Sequence, residues 1–114
     1  LAERLVREAG AEPAFKGYRG YPATLCASVN QEVVHGIPSP ARPLRTGDIV
    51  SLDMGVKLNG YFGDSAVTLP VGDVPEKTRE LLRVTREALD RAIAQVKVGG
   101  RLSDIGHAVQ AFVE

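Results

Sequence analysis

The fold of this chain is decided by the stretch DIVSLDMGVKLNGYFGDSAVTL, residues 48–69. Apolar residues, many of them β-branched, alternate with small or polar residues on both sides of Asn59-Gly60. That dipeptide is the one that best supplies the two positive φ angles of a tight type I′ turn. The stretch therefore predicts an antiparallel hairpin in which Leu58 faces Tyr61.

The predicted hairpin brings two aspartates, Asp53 and Asp64, to the same face of the sheet. With Leu58 opposite Tyr61, Gly55 lies opposite Asp64, and the two carboxylates become diagonal neighbours with Cβ atoms about 7 Å apart. Such a pair repels unless a proton or a cation lies between the two groups. Most aspartates near hairpins are solvated surface residues. These two lie inside strands, where aspartate is disfavoured, among small residues, and a metal site is therefore the favoured interpretation.

The segments around the hairpin predict an α+β fold, an antiparallel sheet with helices packed on one face. Residues 1–9 are predicted as the end of a helix, 25–34 as a strand and 36–47 as an extended, proline-containing connection. A long helix is predicted from Pro75 to about Lys97, and a final helix has Ser103 as its expected N-cap. The expected core lies on the hairpin face opposite the aspartates, which carries Val50, Leu52, Met54, Val67 and Leu69.

Composition limits the classes of function. The chain has 114 residues, 44% of them hydrophobic, with 14 basic and 14 acidic side chains, which fits one modest globular domain. Zero net charge argues against nucleic acid as a partner, and no apolar run is long enough to cross a membrane. Cys26 is the single cysteine, which excludes a disulfide framework and favours a reduced, cytoplasmic location. Apolar helical stripes continue to both ends, so residues 1–114 are expected to be a partial domain, cut at each end.

Four other residues are candidates for chemistry. His35 stands at the predicted end of the first strand, before Gly36-Ile37-Pro38, and a lone histidine there is more often structural. The glycine and proline fix the backbone, which suits a side chain directed into a cleft, as a metal ligand, a proton donor or a hydrogen-bond donor to an oxyanion. Tyr18, Tyr21 and Cys26 could line an apolar substrate pocket, or they could simply be packing residues.

The chain resembles type I methionine aminopeptidase, the bacterial type, over essentially all 114 residues, and four motifs carry this resemblance. They are Gly17-Tyr18-x-Gly20-Tyr21-Pro22, Cys26-x-Ser28-Val29-Asn30-x-x-Val33-x-His35-Gly36-Ile37-Pro38, Gly47-Asp48-Ile49-Val50-x-x-Asp53 and Asn59-Gly60-Tyr61-x-Gly63-Asp64-Ser65. The His-Gly-Ile-Pro element is the most specific of them, because the related prolidases share the spaced aspartates but not this element.

The resemblance implies the N-terminal half of a pita-bread catalytic domain, with two divalent metal ions held by two aspartates, a histidine and two glutamates. Asp53 and Asp64 match the two aspartates. His35 matches a catalytic histidine that touches substrate and does not bind metal. The remaining matches are the methionine side-chain pocket, at Tyr18, Tyr21 and Cys26, and a position near a monovalent-cation site, at Asn30. Phe15 and Arg19 fall where some relatives carry cysteine and histidine.

The implied activity is removal of the initiator methionine from nascent proteins, by attack of a metal-activated water on the first peptide bond. The implied partners are the N-terminal peptide of the nascent protein and the ribosome, and the metal could be Co, Mn, Fe, Zn or Ni. The histidine ligand and both glutamates belong to the half of the domain that this chain lacks, so the isolated chain is expected to be inactive. Two alternatives stay open: a non-catalytic peptide-binding protein on the same fold, and a structural fragment without a site.

Overall fold

The structure, a computed structural model, describes all 114 residues. The chain forms two compact units, Leu1–Val74 and Pro75–Glu114. The first contains helix α1 (Ala2–Glu8) and strands β1 (Glu12–Pro13), β2 (Cys26–Val29), β3 (Ile49–Leu58) and β4 (Tyr61–Pro70). The second contains helices α2 (Glu76–Ile93) and α3 (Leu102–Val113). The predicted α+β class with an antiparallel sheet is confirmed.

Strand β3 is the centre of the four-stranded sheet. It pairs with β4 over its whole length, and all pairings in the sheet are antiparallel. Because β4 occupies one edge of β3, the other edge receives both β2, opposite residues 50–53, and β1, opposite residues 56–57. Strands β1, β2 and β4 are therefore all paired with one strand, β3, which carries Asp53.

The hairpin has the predicted turn and register. Asn59 and Gly60 both have positive φ, 52° and 84°, as a type I′ turn requires. Leu58 pairs with Tyr61, and every later pair follows from that match as far as Ile49 with Pro70. The Asn-Gly dipeptide tolerates these angles, so the turn and the register are set by local sequence.

Three details of the first unit differ from the sequence prediction. The strand expected over residues 25–34 covers only Cys26–Val29, because Asn30 takes a left-handed conformation (φ 55°) and the chain leaves the sheet. His35 is thus not at a strand end but in the irregular segment beyond it. A two-residue strand, Glu12–Pro13, lies between the predicted helix and the predicted strand 25–34, and pairs with Lys57 and Val56.

The predicted core face of the hairpin is only partly buried. Val50 is 5% exposed, whereas Val67 and Leu69 on β4 are 42% and 44% exposed. Burial extends instead to the aspartate-bearing side of β2, where Cys26 and Ser28 are each 3% exposed. The β2 side of that face is therefore covered by the chain, whereas Ala66 on β4, opposite Asp53, is exposed.

The second unit is a pair of helices, each with boundaries that differ from the prediction. Helix α2 begins at Glu76, next to the predicted start at Pro75, which is its N-cap; it ends at Ile93, four residues before Lys97. Helix α3 begins at Leu102 with Arg101 as N-cap, and Ser103 is not the cap; the Arg101 amide donates to Asp104 Oδ2 at 2.9 Å. The Arg91 guanidinium of α2 stacks over the Phe112 ring of α3, 3.9 Å from its centroid. Neither helix is long and apolar enough to cross a membrane.

Candidate metal centre and cleft

The hairpin register places Asp53 and Asp64 diagonally on one face of the sheet. Asp53 pairs with Ala66 across the hairpin, and Asp64 pairs with Gly55. On its other side Asp53 pairs with Cys26 of β2. A diagonal pair has Cβ atoms within about 7–8 Å, close enough for two carboxylates to share one cation.

One oxygen of the Asp53 carboxylate lacks a hydrogen-bond partner in the protein. This atom, Oδ1, is buried and accepts no hydrogen bond. Burial raises the pKa of Asp53, and the neighbouring Asp64 raises it further, while His35 acts in the opposite direction. A buried, unpartnered carboxylate oxygen is costly, and a divalent cation would supply both the missing partner and the missing charge. The two side chains therefore fit a metal ion, for which carboxylate oxygens are suitable ligands.

The donor set that this chain supplies is incomplete. No group of three or more histidine, cysteine, aspartate or glutamate side chains is close enough to hold a metal ion together. His35 shares the cleft with the two aspartates but does not complete a three-ligand cluster. Two carboxylates alone would leave most coordination positions of a transition metal open.

The six residues predicted from sequence for catalysis, metal binding and the methionine pocket lie in one cleft. This cavity of about 570 Å³ is lined by Phe15, Tyr18, Arg19, Gly20, Tyr21, Cys26, His35, Asp53 and Asp64. The volume falls within the range of about 300–1,000 Å³ that is usual for ligand pockets. The structure thus brings together residues from the 15–21 loop, from β2, from the segment after it and from both hairpin strands.

Phe15, Arg19 and Gly20 also line the cleft, although none of them was among the predicted site residues. A glycine in the hairpin could have indicated Phe15, because glycine within a strand often marks a close approach. A Cβ atom built on Gly55 would lie 2.4 Å from Phe15 Cε1, so the ring fills the space that a side chain at position 55 would occupy. Nothing comparable in the sequence marks Arg19, whose φ is 48° in the turn Tyr18–Gly20 and whose guanidinium stacks on Tyr18.

Asn30 lies in a different cavity. That cavity, about 280 Å³, is lined by Asn30, Asp48 and neighbouring residues of the 29–32 and 41–45 segments. The Asn30 amide donates to Asp48 Oδ1 at 2.8 Å, and its carbonyl oxygen accepts from the Ile49 amide at 3.0 Å. The side chain thus holds the chain reversal after β2 against the start of β3.

Metal-dependent hydrolases hold their metal ions with protein ligands on rigid elements, and two carboxylates on one sheet face beside a histidine fit this class of enzyme. The model of metallopeptidase family M24 matches residues 1–114, the whole chain, and the chain belongs to this family. Membership of a metallopeptidase family implies the use of a divalent metal ion, in agreement with the unpartnered Oδ1 atom of Asp53.

Three relatives place the chain within the family. It is 52% identical over 114 residues to methionine aminopeptidase 1 of Bacillus subtilis, covering 100% of this chain and 46% of the relative. The crystal structure of methionine aminopeptidase from Thermotoga maritima aligns with a TM-score of 0.93 at 47% identity, covering 96% of this chain and 44% of that one. A prolidase from Pyrococcus furiosus aligns with a TM-score of 0.70 at 26% identity, over 78% of this chain and 27% of that one. These likenesses confirm the pita-bread type of fold, and the chain spans less than half the length of each relative.

Proposed function

We propose that the protein containing this chain is a methionine aminopeptidase, which removes the initiator methionine from newly made proteins. Residues 1–114 would then be part of a larger catalytic domain. The names of the two more similar relatives support this assignment over that of a prolidase, as does the His35-Gly36-Ile37-Pro38 element. The substrate would be the N-terminal peptide of a nascent protein, met in the cytoplasm, with the ribosome as a further partner.

One observation carries the proposal. The Oδ1 atom of Asp53 is buried and accepts no hydrogen bond, and it lies next to Asp64 in the same cleft as His35 and two tyrosines. A protein that used this cleft only to hold peptide would have no need for two repelling carboxylates at its floor. The arrangement is explained when the pair holds metal.

In this proposal Asp53 and Asp64 each supply carboxylate oxygens to a site with two divalent ions. A bound metal supplies the activation of water for attack on the first peptide bond. The rigidity of the hairpin keeps the two carboxylates at a fixed separation. Oxygen ligands of this kind accept several divalent ions, and Co, Mn, Fe, Zn and Ni are all compatible with them.

His35 would act on the substrate directly. From its position in the cleft the imidazole can donate a hydrogen bond to the carbonyl oxygen of the first peptide bond, where negative charge develops during hydrolysis. A well-placed donor of this type contributes on the order of 3 kcal/mol to the transition state. His35 has φ 60°, a left-handed backbone conformation that is uncommon for a residue other than glycine.

The remaining predicted residues would determine recognition. Tyr18, Tyr21 and Cys26, together with Phe15, would enclose the methionine side chain, for which aromatic rings and a thiol form a suitably apolar lining. Asn30 would lie near a monovalent cation in the second cavity, where the Asp48 carboxylate supplies negative charge.

The test uses the full-length protein that contains this chain. Methionine release from a Met-Ala-Ser peptide should require added divalent metal and should fail with the N-acetylated peptide. Asp64→Asn should reduce both metal content and turnover, the latter by about a hundredfold or more, whereas Asp90→Asn on the exposed face of α2 should change neither. Metal-independent peptide binding without methionine release would instead support the non-catalytic alternative.

The isolated 114-residue chain is expected to release no methionine, because its two carboxylates do not complete a metal site. Purified chain incubated with the same peptide and with Mn²⁺ or Co²⁺ provides the assay. Turnover above the protein-free blank would show that the ligand set described here is sufficient, and would contradict this part of the proposal.

A further inference from the structure

Gly36, the residue after His35, is fixed to strand β2 by hydrogen bonds on both of its polar groups. Its amide donates to Ser28 Oγ at 3.0 Å, and its carbonyl oxygen accepts from the Ala27 amide at 2.8 Å. The same carbonyl accepts from the Tyr21 hydroxyl at 2.9 Å. Three hydrogen bonds thus hold Gly36 in a segment that is otherwise irregular.

The contact between Gly36 and β2 is too close for any side chain. A Cβ atom at Gly36 would lie 2.4 Å from the Ala27 carbonyl oxygen and 2.7 Å from Ser28 Cα, both of them backbone atoms. Gly36 is buried, whereas His35 is exposed and has φ 60°. A left-handed conformation at a residue other than glycine persists only where the surroundings impose it. The hydrogen bonds of Gly36 with Ser28, Ala27 and Tyr21, here called the Gly36 anchor, supply that restraint.

Tyr21 is the one side chain that reaches the anchor from outside β2. Its hydroxyl lies 2.9 Å from Gly36 O and 3.1 Å from Leu25 O, so its single proton is shared between two backbone carbonyls. The ring lines the cleft while the hydroxyl is directed at the backbone. A tyrosine that served substrate through its hydroxyl would not have that group engaged by two carbonyls.

We infer that Tyr21 is a positioning residue for His35: its hydroxyl holds the His35–Gly36 segment so that the imidazole meets the substrate. This role differs from the predicted one, in which the Tyr21 ring is part of the methionine pocket, and both can operate together. The catalytic consequence rests on the proposed aminopeptidase function, whereas the structural consequence at Gly36 does not.

The test is Tyr21→Phe in the full-length protein, which keeps the ring and removes only the hydroxyl. We expect kcat to fall about tenfold or more, because a reacting group displaced by even 1 Å can cost about a hundredfold. KM should stay within about twofold, because the pocket wall is unchanged. Tyr61→Phe, at the hairpin turn and 82% exposed, is the matched control and should change neither constant.

A double-mutant cycle separates positioning from general support of the fold. If Tyr21 acts through His35, Tyr21→Phe should cause little further loss of kcat in a His35→Ala background. The same tenfold loss in both backgrounds would overturn the inference, as would a raised KM with unchanged kcat.

Amide hydrogen exchange provides a readout that needs no activity. Tyr21→Phe should accelerate exchange at Gly36 about fivefold or more, while amides in the middle of the hairpin keep their wild-type rates. Unchanged exchange at Gly36 would overturn the inference even if kcat fell. Faster exchange in a protein that releases no methionine would refute the proposed function but leave the anchor intact.

Discussion

Asp53→Asn should stabilise the metal-free protein at neutral pH. The substitution keeps the shape of the side chain, removes one of two like charges and gives the buried position an amide that can donate to Asp64. If the Cβ separation of about 7 Å is taken as the distance between the charges, the repulsion is about 0.6 kcal/mol in water and about 2.4 kcal/mol at an effective dielectric constant of 20. Asp53 is half-buried, so we expect a gain of about 1–2 kcal/mol in the free energy of unfolding.

The gain should depend on pH in a defined direction. Burial and Asp64 raise the pKa of Asp53 in the folded protein above its unfolded value of about 3.9. Folding therefore favours the protonated carboxyl, and the stability linked to it is fully present below the unfolded pKa and is lost as pH rises through the folded pKa. The advantage of Asp53→Asn should accordingly be small near pH 3.5 and complete at pH 7.

Urea unfolding of the full-length protein, followed by circular dichroism in EDTA between pH 3.5 and 8, measures this effect. Asp90→Asn serves as the control, since it removes a carboxylate on the exposed face of α2. Saturating Mn²⁺ should reverse the order of stability, because a ligand at a hundredfold its dissociation constant adds about 2.7 kcal/mol to the protein that binds it. If Asp53→Asn instead lowered the free energy of unfolding by more than about 1 kcal/mol in EDTA at pH 7, the carboxylate would have a structural hydrogen-bonding role, and the reasoning would be refuted.

Three further predictions concern the surroundings of the site. Gly55→Ala should lower the free energy of unfolding by about 1–3 kcal/mol, because its Cβ would meet the Phe15 ring. Urea unfolding should show a smaller loss of stability in a Phe15→Leu background, and an equal loss would contradict the contact. The hydrogen bond from Asn30 holds the pKa of Asp48 below its usual range. The stability that this bond contributes is present above the unfolded pKa of Asp48 and is lost as pH falls through the folded pKa. The stability deficit of Asn30→Ala should thus narrow in acid, and a pH-independent deficit would exclude this linkage. Cys26, 3% exposed at the wall of the cleft, should react with a bulky thiol reagent much more slowly in the native protein than in urea, and equal rates would contradict its burial.

The hairpin and its two aspartates were predictable because local sequence determines both. Asn59-Gly60 fixes the turn, the turn fixes the register, and the period of two then assigns Asp53 and Asp64 to one face. No information from elsewhere in the chain is needed for this step. The same reasoning fails for β2, since its end depends on the side-chain contacts of Asn30 with Asp48 and Ile49, which lie 18 and 19 residues away.

Strand β1 could not be predicted, for a related reason. Two residues, Glu12 and Pro13, show no periodicity, and proline is disfavoured in strands except at edges and strand starts. They pair with Lys57 and Val56 because the chain passes beside the part of β3 that β2 leaves unpaired. The apolar pattern also overstated the core, since hydrophobicity at Val67 and Leu69 does not say whether anything in this chain covers them.

The two glycines that mark the cleft show what the sequence can and cannot say about a site. Gly55 leaves room for the Phe15 ring, and Gly36 leaves room for the backbone of β2. In each case the glycine signals a close approach, but the group that approaches is known only from the structure. Phe15 and Tyr21 both come from the irregular 14–25 segment, which has no pattern of its own. The hairpin thus determines where the carboxylates stand, whereas this segment determines the walls of the cleft and the position of His35. It follows that substitutions at Phe15 or Tyr21 should change kcat or KM for the peptide substrate, while the affinity of the two aspartates for metal stays unchanged.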